Sequence, residues 1–353
     1  MDIRASWRAS IVLRSLASAA LAIGLACAAA DAACAETQLR VLLDRRDGTA
    51  APFFAALSTG FFRQQALDVS SRLAGGSEDA IERLAKGEAD LALADINAFI
   101  RFHDKSSGPR LKAVFVVFNR APYALIARKS RGVAAIADMA GKTLGVAEGD
   151  LSIYFWPALA RQNGVDLHKI KTEKIGSAVR GPMLSAGQID ATTGLSYGTA
   201  LDLKDRGVPA DDLMVFRFKD FGSDAYGQAV IADAGFADQH ADAIAGFIRA
   251  MIAGIGFAAK QPAKAADLVA AQMDQPQRDL EYQRLRQVLR DNILTDEAAR
   301  NGLGAMIQER FDRSMQQMAT DYKLHKKPDM ADIFDGSFLP PPDERKVDGR
   351  PTN

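Results

Sequence analysis

Between Gly60 and Phe99 the chain runs GFFRQQALDVSSRLAGGSEDAIERLAKGEADLALADINAF, which reads as a helix end, a strand, a glycine-hinged turn, a helix and a second strand. The first strand is Ala66 to Leu73, and Gly75-Gly76 allows a tight turn because glycine lacks a Cβ. Ser77 is placed to cap the next helix, where Ile81, Leu84 and Ala85 recur at helical spacing until Gly87 ends it. Leu91 and Leu93 then alternate into a strand that stops at Asp95. Such a βαβ unit places both polar edges on one side. In open α/β sheets, ligands sit outside the carboxyl ends of the strands, so Gly75, Gly76, Ser77, Asp95 and Asn97 are expected on one ligand-facing lip.

The first 35 residues have the character of an export signal. Arg4, Arg8 and Arg14 precede an alanine-rich apolar core from Leu16 to Ala30, and Ala33-Cys34-Ala35 is a small-residue cleavage site that leaves Glu36 first. A lipoprotein anchor is disfavoured, because neither Cys27 nor Cys34 has an aliphatic residue three positions before it. Cleavage removes both cysteines, so the mature chain is expected to carry no disulfide and no thiolate metal site in the periplasm. Lysine plus arginine and aspartate plus glutamate each number 44, a balance that suggests neither nucleic acid nor an anionic membrane as partner.

The length favours two lobes. Strands are expected at Gln38 to Asp44, Leu111 to Phe118, Tyr123 to Ala127, Thr143 to Ala147, Ile170 to Ile175 and Leu213 to Phe218, with helices from Pro52, from Ile153 to Asn163 and from Val179 to Ala186. The βα rhythm restarts near Tyr123, and residues 181–191 repeat the layout of residues 82–92. This places one lobe at 36–122 and 227–353 and the other at 123–226, with Gln228 to Ala232 as the return. Beyond Ala237 the pattern is helical: Ala241 to Ala259, Pro262 to Met273, Asp279 to Leu289 and Thr295 to Met318, then an extended tail.

Each candidate site residue has a plain structural alternative. Gly76 and Ser77 present a helix start to an anion or form an ordinary N-cap. Glu78 and Asp79 already supply negative charge there, which favours a neutral or singly charged ligand. Asp44 and Asp95 each end a strand on the same lip, suited to ligand N–H or O–H groups or to capping the next turn. Arg180 opens a helix where a cation opposes the dipole, which marks it for an anionic ligand group; Arg45 and Arg120 are similar, and all three are also plausible surface arginines. Tyr123 is a further candidate among the aromatics, and Tyr154, Trp156 and Tyr226 lie near the crossings, where they suit either a stacking wall for a planar solute or core and hinge packing. The four histidines are scattered without ligand spacing, and no Walker loop, dinucleotide fingerprint or nucleophile elbow occurs.

Gly60-Phe61-Phe62, Leu67-Asp68-Val69, Gly75-Gly76-Ser77 and Lys86-Gly87-Glu88-Ala89-Asp90 resemble the amino-terminal signature of solute-binding proteins of the sulfonate/nitrate/taurine and thiamine-pyrimidine (NMT1/THI5-like) group. The resemblance continues through Ile136 to Val146, Leu184 to Ala191 and Phe247 to Ala250. It implies a type II periplasmic binding protein, in which two α/β lobes joined by two crossing strands close on a small solute. It further implies a monomeric, non-enzymatic receptor without cofactor that delivers its solute to ABC permease and ATPase subunits. The enzymatic relatives are pyrimidine-precursor synthases, which use a lysine-bound pyridoxal phosphate and a histidine in the first lobe. Pyrimidine-handling members often carry an aromatic residue after the first-strand aspartate and a histidine ten residues before Gly60; here those places hold Arg45 and Ala50.

Overall fold

Strand β1 (Thr37–Leu43) shows how the first sheet is covered on both faces. Leu39, Val41 and Leu43 point to one side and join a core with Phe53 and Phe247, whereas Leu42 points to the other and meets Ile81 and Leu84. That split is the period-two alternation of a strand. In this computed structural model, residues 36–106, 110–275, 277–320 and 322–348 are described. The expected export segment, both cysteines and the break at residues 107–109 lie outside them.

The first sheet runs β2-β1-β3-β10-β4, with β2 at Leu67–Leu73, β3 at Leu91–Asp95, β4 at Leu111–Val116 and β10 at Gln228–Asp233. Strands β1 and β3 are parallel, and β10 is antiparallel to both β3 and β4. Helix α1 (Ala51–Ser58) links β1 to β2, and α2 (Ser77–Ala85) links β2 to β3. Helix α3 (Ile96–Lys105) follows β3 directly.

The second sheet repeats the plan. Its order is β7-β6-β8-β5-β9, with β5 at Tyr123–Arg128, β6 at Thr143–Ala147, β7 at Lys171–Ile175, β8 at Ala191–Leu195 and β9 at Leu213–Arg217. Strand β6 is parallel to β7 and β8, and β5 is antiparallel to β8 and β9. In each sheet the fourth position is held by an antiparallel strand, β10 or β5, that the chain lays down immediately after crossing from the other lobe. The echo between residues 82–92 and 181–191 corresponds to α2 running into β3 and α5 (Arg180–Ala186) running into β8, two equivalent places. Helix α4 (Trp156–Gln162) precedes α5.

Three local expectations differ from the structure. The helix expected from Ile153 to Asn163 is a 3₁₀ turn at Leu151–Tyr154 followed by α4. Helices α6 (Thr199–Asp205) and α7 (Ala234–Gln239) were not expected, being short and only partly apolar. After α8 (Ala241–Lys260), α9 (Pro262–Ala270) and α10 (Arg278–Val288), the single helix expected from Thr295 to Met318 is broken into α11 (Asp296–Asn301) and α12 (Gln308–Met318). Gly302 and Gly304 break it with φ of 77° and 89°, and Gly304 bridges to Val116 of β4. Helix α8 is long and apolar enough by length and composition to cross a membrane, yet 61% of its apolar window is buried inside this protein, where it packs on α1.

Candidate functional site

Strands β1 and β3 of one sheet and β6 and β8 of the other end at a common cleft within the compact unit that starts at Gln38. A cavity of about 290 Å³ lies there. From the first lobe Arg45, Gly75, Gly76, Ser77, Glu78, Asp79 and Asp95 line it, and from the second Tyr123, Glu148, Gly149, Asp150, Leu151, Ser177, Arg180 and Leu195.

The first-lobe wall is held by a chain of hydrogen bonds rooted in buried Asp44. Its Oδ2 accepts from Ser77 Oγ at 2.7 Å and from Arg45 Nη2 at 3.0 Å, and its Oδ1 accepts from Gln228 Nε2 at 2.8 Å. Ser77 does not cap α2. The N-cap is Gly76, at φ 125°, and Ser77 is the first helical residue. Its hydroxyl instead accepts from the Asp95 backbone N–H at 3.0 Å, tying β1 to β3. Helix α2 therefore begins at the cavity wall without a side-chain cap, and the first N–H groups of a helix have no intrahelical partner.

Asp95 both caps α3 and faces the cavity. Its Oδ1 accepts from Asn97 N at 2.9 Å and Asn97 Nδ2 at 2.8 Å, and its Oδ2 accepts from Tyr123 Oη at 2.7 Å, a bond that joins the two lobes. Burial raises the Asp95 carboxyl above its ordinary value, and the bonds from Tyr123 and Asn97 oppose the shift. Burial, and then the charge of Asp95, hold the Tyr123 hydroxyl well above the usual tyrosine value. Asn97 lies one layer behind the cavity, reaching Tyr123 Oη at 2.9 Å and the Tyr226 carbonyl at 2.7 Å.

Arg45 crosses the cleft to Tyr197 Oη while holding Asp44. Burial works against its charge, but Asp44 and Tyr197 keep its pKa well above the ordinary arginine value. On the second lobe, Asp150 Oδ1 accepts from Ser152 N at 3.0 Å and Ser152 Oγ at 2.5 Å, and its Oδ2 accepts from Thr193 Oγ1 at 2.7 Å. Arg180 has no ion pair among the described residues, and its Nε is enclosed without an acceptor. Its guanidinium lies over Gly194 of β8, where a Cβ would collide with Nη1.

Of the residues singled out from sequence, Arg45, Gly76, Ser77, Asp95, Tyr123 and Arg180 line the cavity, and Asp44 and Asn97 support it from behind. The stacking wall expected of Tyr154, Trp156 and Tyr226 is not assembled there. Trp156 is buried in the second lobe against Phe218, ring centroids 6.3 Å apart, because the inward face of α4 carries it into the core. Tyr226 lies under the Arg310 guanidinium, 3.9 Å from its ring centroid, and burial pushes its hydroxyl up to about 12 against the opposing charge of Arg310. Tyr154 lines an adjoining groove with Ile153 and Ile175, and its ring carries Arg101 at 4.2 Å. Glu148, Asp150 and Leu195 were missed. Glu148 and Asp150 follow the end of β6, so the strand-end rule that selects Asp44 and Asp95 finds them too. Among the described residues no group of three or more histidine, cysteine, aspartate or glutamate side chains is placed to hold a metal.

Two similarly wound α/β lobes with a polar cleft at their strand ends define the architecture of periplasmic binding proteins. Residues 48–265 match the NMT1/THI5-like family, and the chain belongs to that family. It is 23% identical over 300 residues to the riboflavin-binding protein RibY of Chloroflexus aurantiacus, covering 82% of each chain. Among solved structures it resembles the periplasmic aliphatic sulphonate-binding protein SsuA of Escherichia coli, with a TM-score of 0.70 and 16% identity over 90% of this chain and 95% of that one. It also resembles a ligand-binding component of an ABC-type import system from Staphylococcus aureus, with a TM-score of 0.65 and 14% identity over 86% of this chain and 97% of that one.

Proposed function

We propose that this chain is the periplasmic solute-binding component of an ABC importer, exported by residues 1–35 and working as a monomer. In this reading residues 36–122 and 227–353 form one lobe and residues 123–226 the other. The solute enters the cavity and the lobes close on it; permease and ATPase subunits of the inner membrane then receive it. The observation that carries the reading is a small polar cavity lined from both lobes, at the strand ends, beside two chain crossings. A ligand that touches both walls has higher affinity for the closed form, and that difference drives closure.

The enzymatic alternative, a pyridoxal-phosphate-dependent synthase, fits the residues less well. Among the described residues no lysine lines the cavity, and Lys86 lies at the far end of α2 from it. The chemistry needs an amine to hold the cofactor as a Schiff base.

The test is small-angle scattering of the purified protein with and without a periplasmic metabolite extract, alongside native mass spectrometry. A retained small molecule and a fall in radius of gyration are expected. A protein that retains nothing and keeps its dimensions in every extract fraction refutes the reading.

A further inference from the structure

The charges around the cavity are unequally committed. Glu78 pairs with Arg101 at 2.6 Å, and Asp79 accepts from Gly75 N at 2.8 Å with Arg83 at 3.6 Å. Arg45 is engaged by Asp44 and Tyr197. Among the described residues the cavity lining then has one cation without an ion pair, Arg180, alongside Asp95, Asp150 and Glu148.

The hydrogen-bonding capacity left over has both signs. A guanidinium has five N–H donors and an ionised carboxylate about four acceptor positions. Arg180 has no ion pair among the described residues, and its enclosed Nε has no acceptor. Among the described residues Asp95 Oδ2 accepts only from Tyr123, and Asp150 Oδ2 only from Thr193, which leaves each oxygen one further acceptor position. These two carboxylates belong to opposite lobes. A simple organic anion satisfies Arg180 but meets three carboxylates, and a cation or a neutral donor leaves Arg180 without an acceptor. Burying unmatched groups of either kind is costly.

Building on the solute-receptor reading above, we propose that the cleft selects a small nitrogenous organic acid, with its anionic group on Arg180 and N–H donors on Asp95 and Asp150. Donors shared between Asp95 and Asp150 bridge the lobes, so the nitrogenous part of the solute drives closure. Gly194 is a positioning residue: without a side chain it leaves room for the Arg180 head against β8, where a Cβ would collide with Nη1.

The experiment is calorimetric titration of the purified protein with two nitrogenous acids of different shape, orotate and β-alanine, and with uracil and benzoate, which lack the acid and the N–H respectively. At least one nitrogenous acid is expected to bind about tenfold more tightly than both controls, a difference of about 1.4 kcal/mol, because each control leaves a buried group unmatched. Arg180→Gln cancels the advantage over uracil. Gly194→Ala does the same while the protein stays folded by circular dichroism, because its methyl meets Arg180 Nη1, the far end of a long side chain, and sits 3.3 Å from Thr199 Oγ1. Equal or tighter binding of uracil or benzoate overturns the proposal, as does failure of all four to bind. In that last case a different solute retained in native mass spectra leaves the receptor reading intact, and an empty protein removes that reading too.

Discussion

Replacing Arg310 with methionine should cost about 3–5 kcal/mol, because this one side chain fastens both chain crossings. Its side chain is only 7% exposed. Nη2 donates to the Asn119 carbonyl at 2.7 Å and the Ala225 carbonyl at 3.1 Å, and Nε donates to the Asp224 carbonyl at 2.9 Å. Nη1 reaches Glu297 at 3.0 Å and Asn119 Oδ1 at 3.3 Å. Asn119 lies on the first crossing, and Asp224 and Ala225 lie on the second. Helix α12 adds Gln317, which accepts from Asp224 N at 2.9 Å and donates to the Gly222 carbonyl at 2.7 Å.

Methionine keeps much of the packing but takes the cation from Glu297, to which Asn119 Nδ2 still donates at 2.8 Å, and leaves the Asn119 and Asp224 carbonyls without this donor. Glu297 is half-buried and keeps a donor, so the cost rests mainly on the two carbonyls, which at about 1–3 kcal/mol each give a sum that spans the expected loss. Arg310→Lys should recover part of the loss, since lysine restores the charge but not the planar fork. Urea unfolding measures the cost, and hydrogen exchange should show faster opening at residues 117–122 and 218–227. A loss below about 1 kcal/mol with unchanged exchange in both segments would refute the strap.

Two further perturbations follow. Burial raises the folded-state pKa of Asp95, so the folded protein holds that proton more tightly than the unfolded chain; stability therefore falls as pH rises from the ordinary value, about 3.9, through the raised one. Asp95→Asn should accordingly be at least as stable as the parent at pH 8, with the difference closing toward pH 4, and a melting-temperature difference independent of pH would contradict this. Gly304→Ala forces a Cβ residue to φ 89° and drives a methyl into the Phe115 ring. Left-handed strain of about 1–2 kcal/mol and overpacking of about 1–3 kcal/mol give a loss of roughly 2–5 kcal/mol in urea unfolding, and an unchanged midpoint would rule it out.

Much of the fold was legible because its signals are local. Thr143 to Ala147 was readable as a strand to the residue, and the Gly76 turn and the Gly87 helix end lie where glycine chemistry puts them. The break between α11 and α12 was not. Its glycines are tolerable in a helix, and the break makes sense only beside β4, to which Gly304 bridges. The site divided in the same way. Strand-end acids were visible as a class, so Asp44 and Asp95 were found, and Asp150 was findable by the same rule. The aromatics were harder: sequence put Trp156 and Tyr226 near the crossings, but not which way their rings point.

The amino-acid sequence by itself determined a doubled βα plan and the polar edge where its strands end, because periodicity and glycine placement act over a few residues. Only the tertiary structure decided how those polar groups are used. Asp44 is spent on Ser77, Arg45 and Gln228, whereas Arg180 is left without an ion pair among the described residues. Arg310, in sequence one arginine of a polar helix, became the strap across residues 119, 224 and 225. Those partners are remote in the chain, and charge compensation and hydrogen-bond capacity are settled only when distant segments meet.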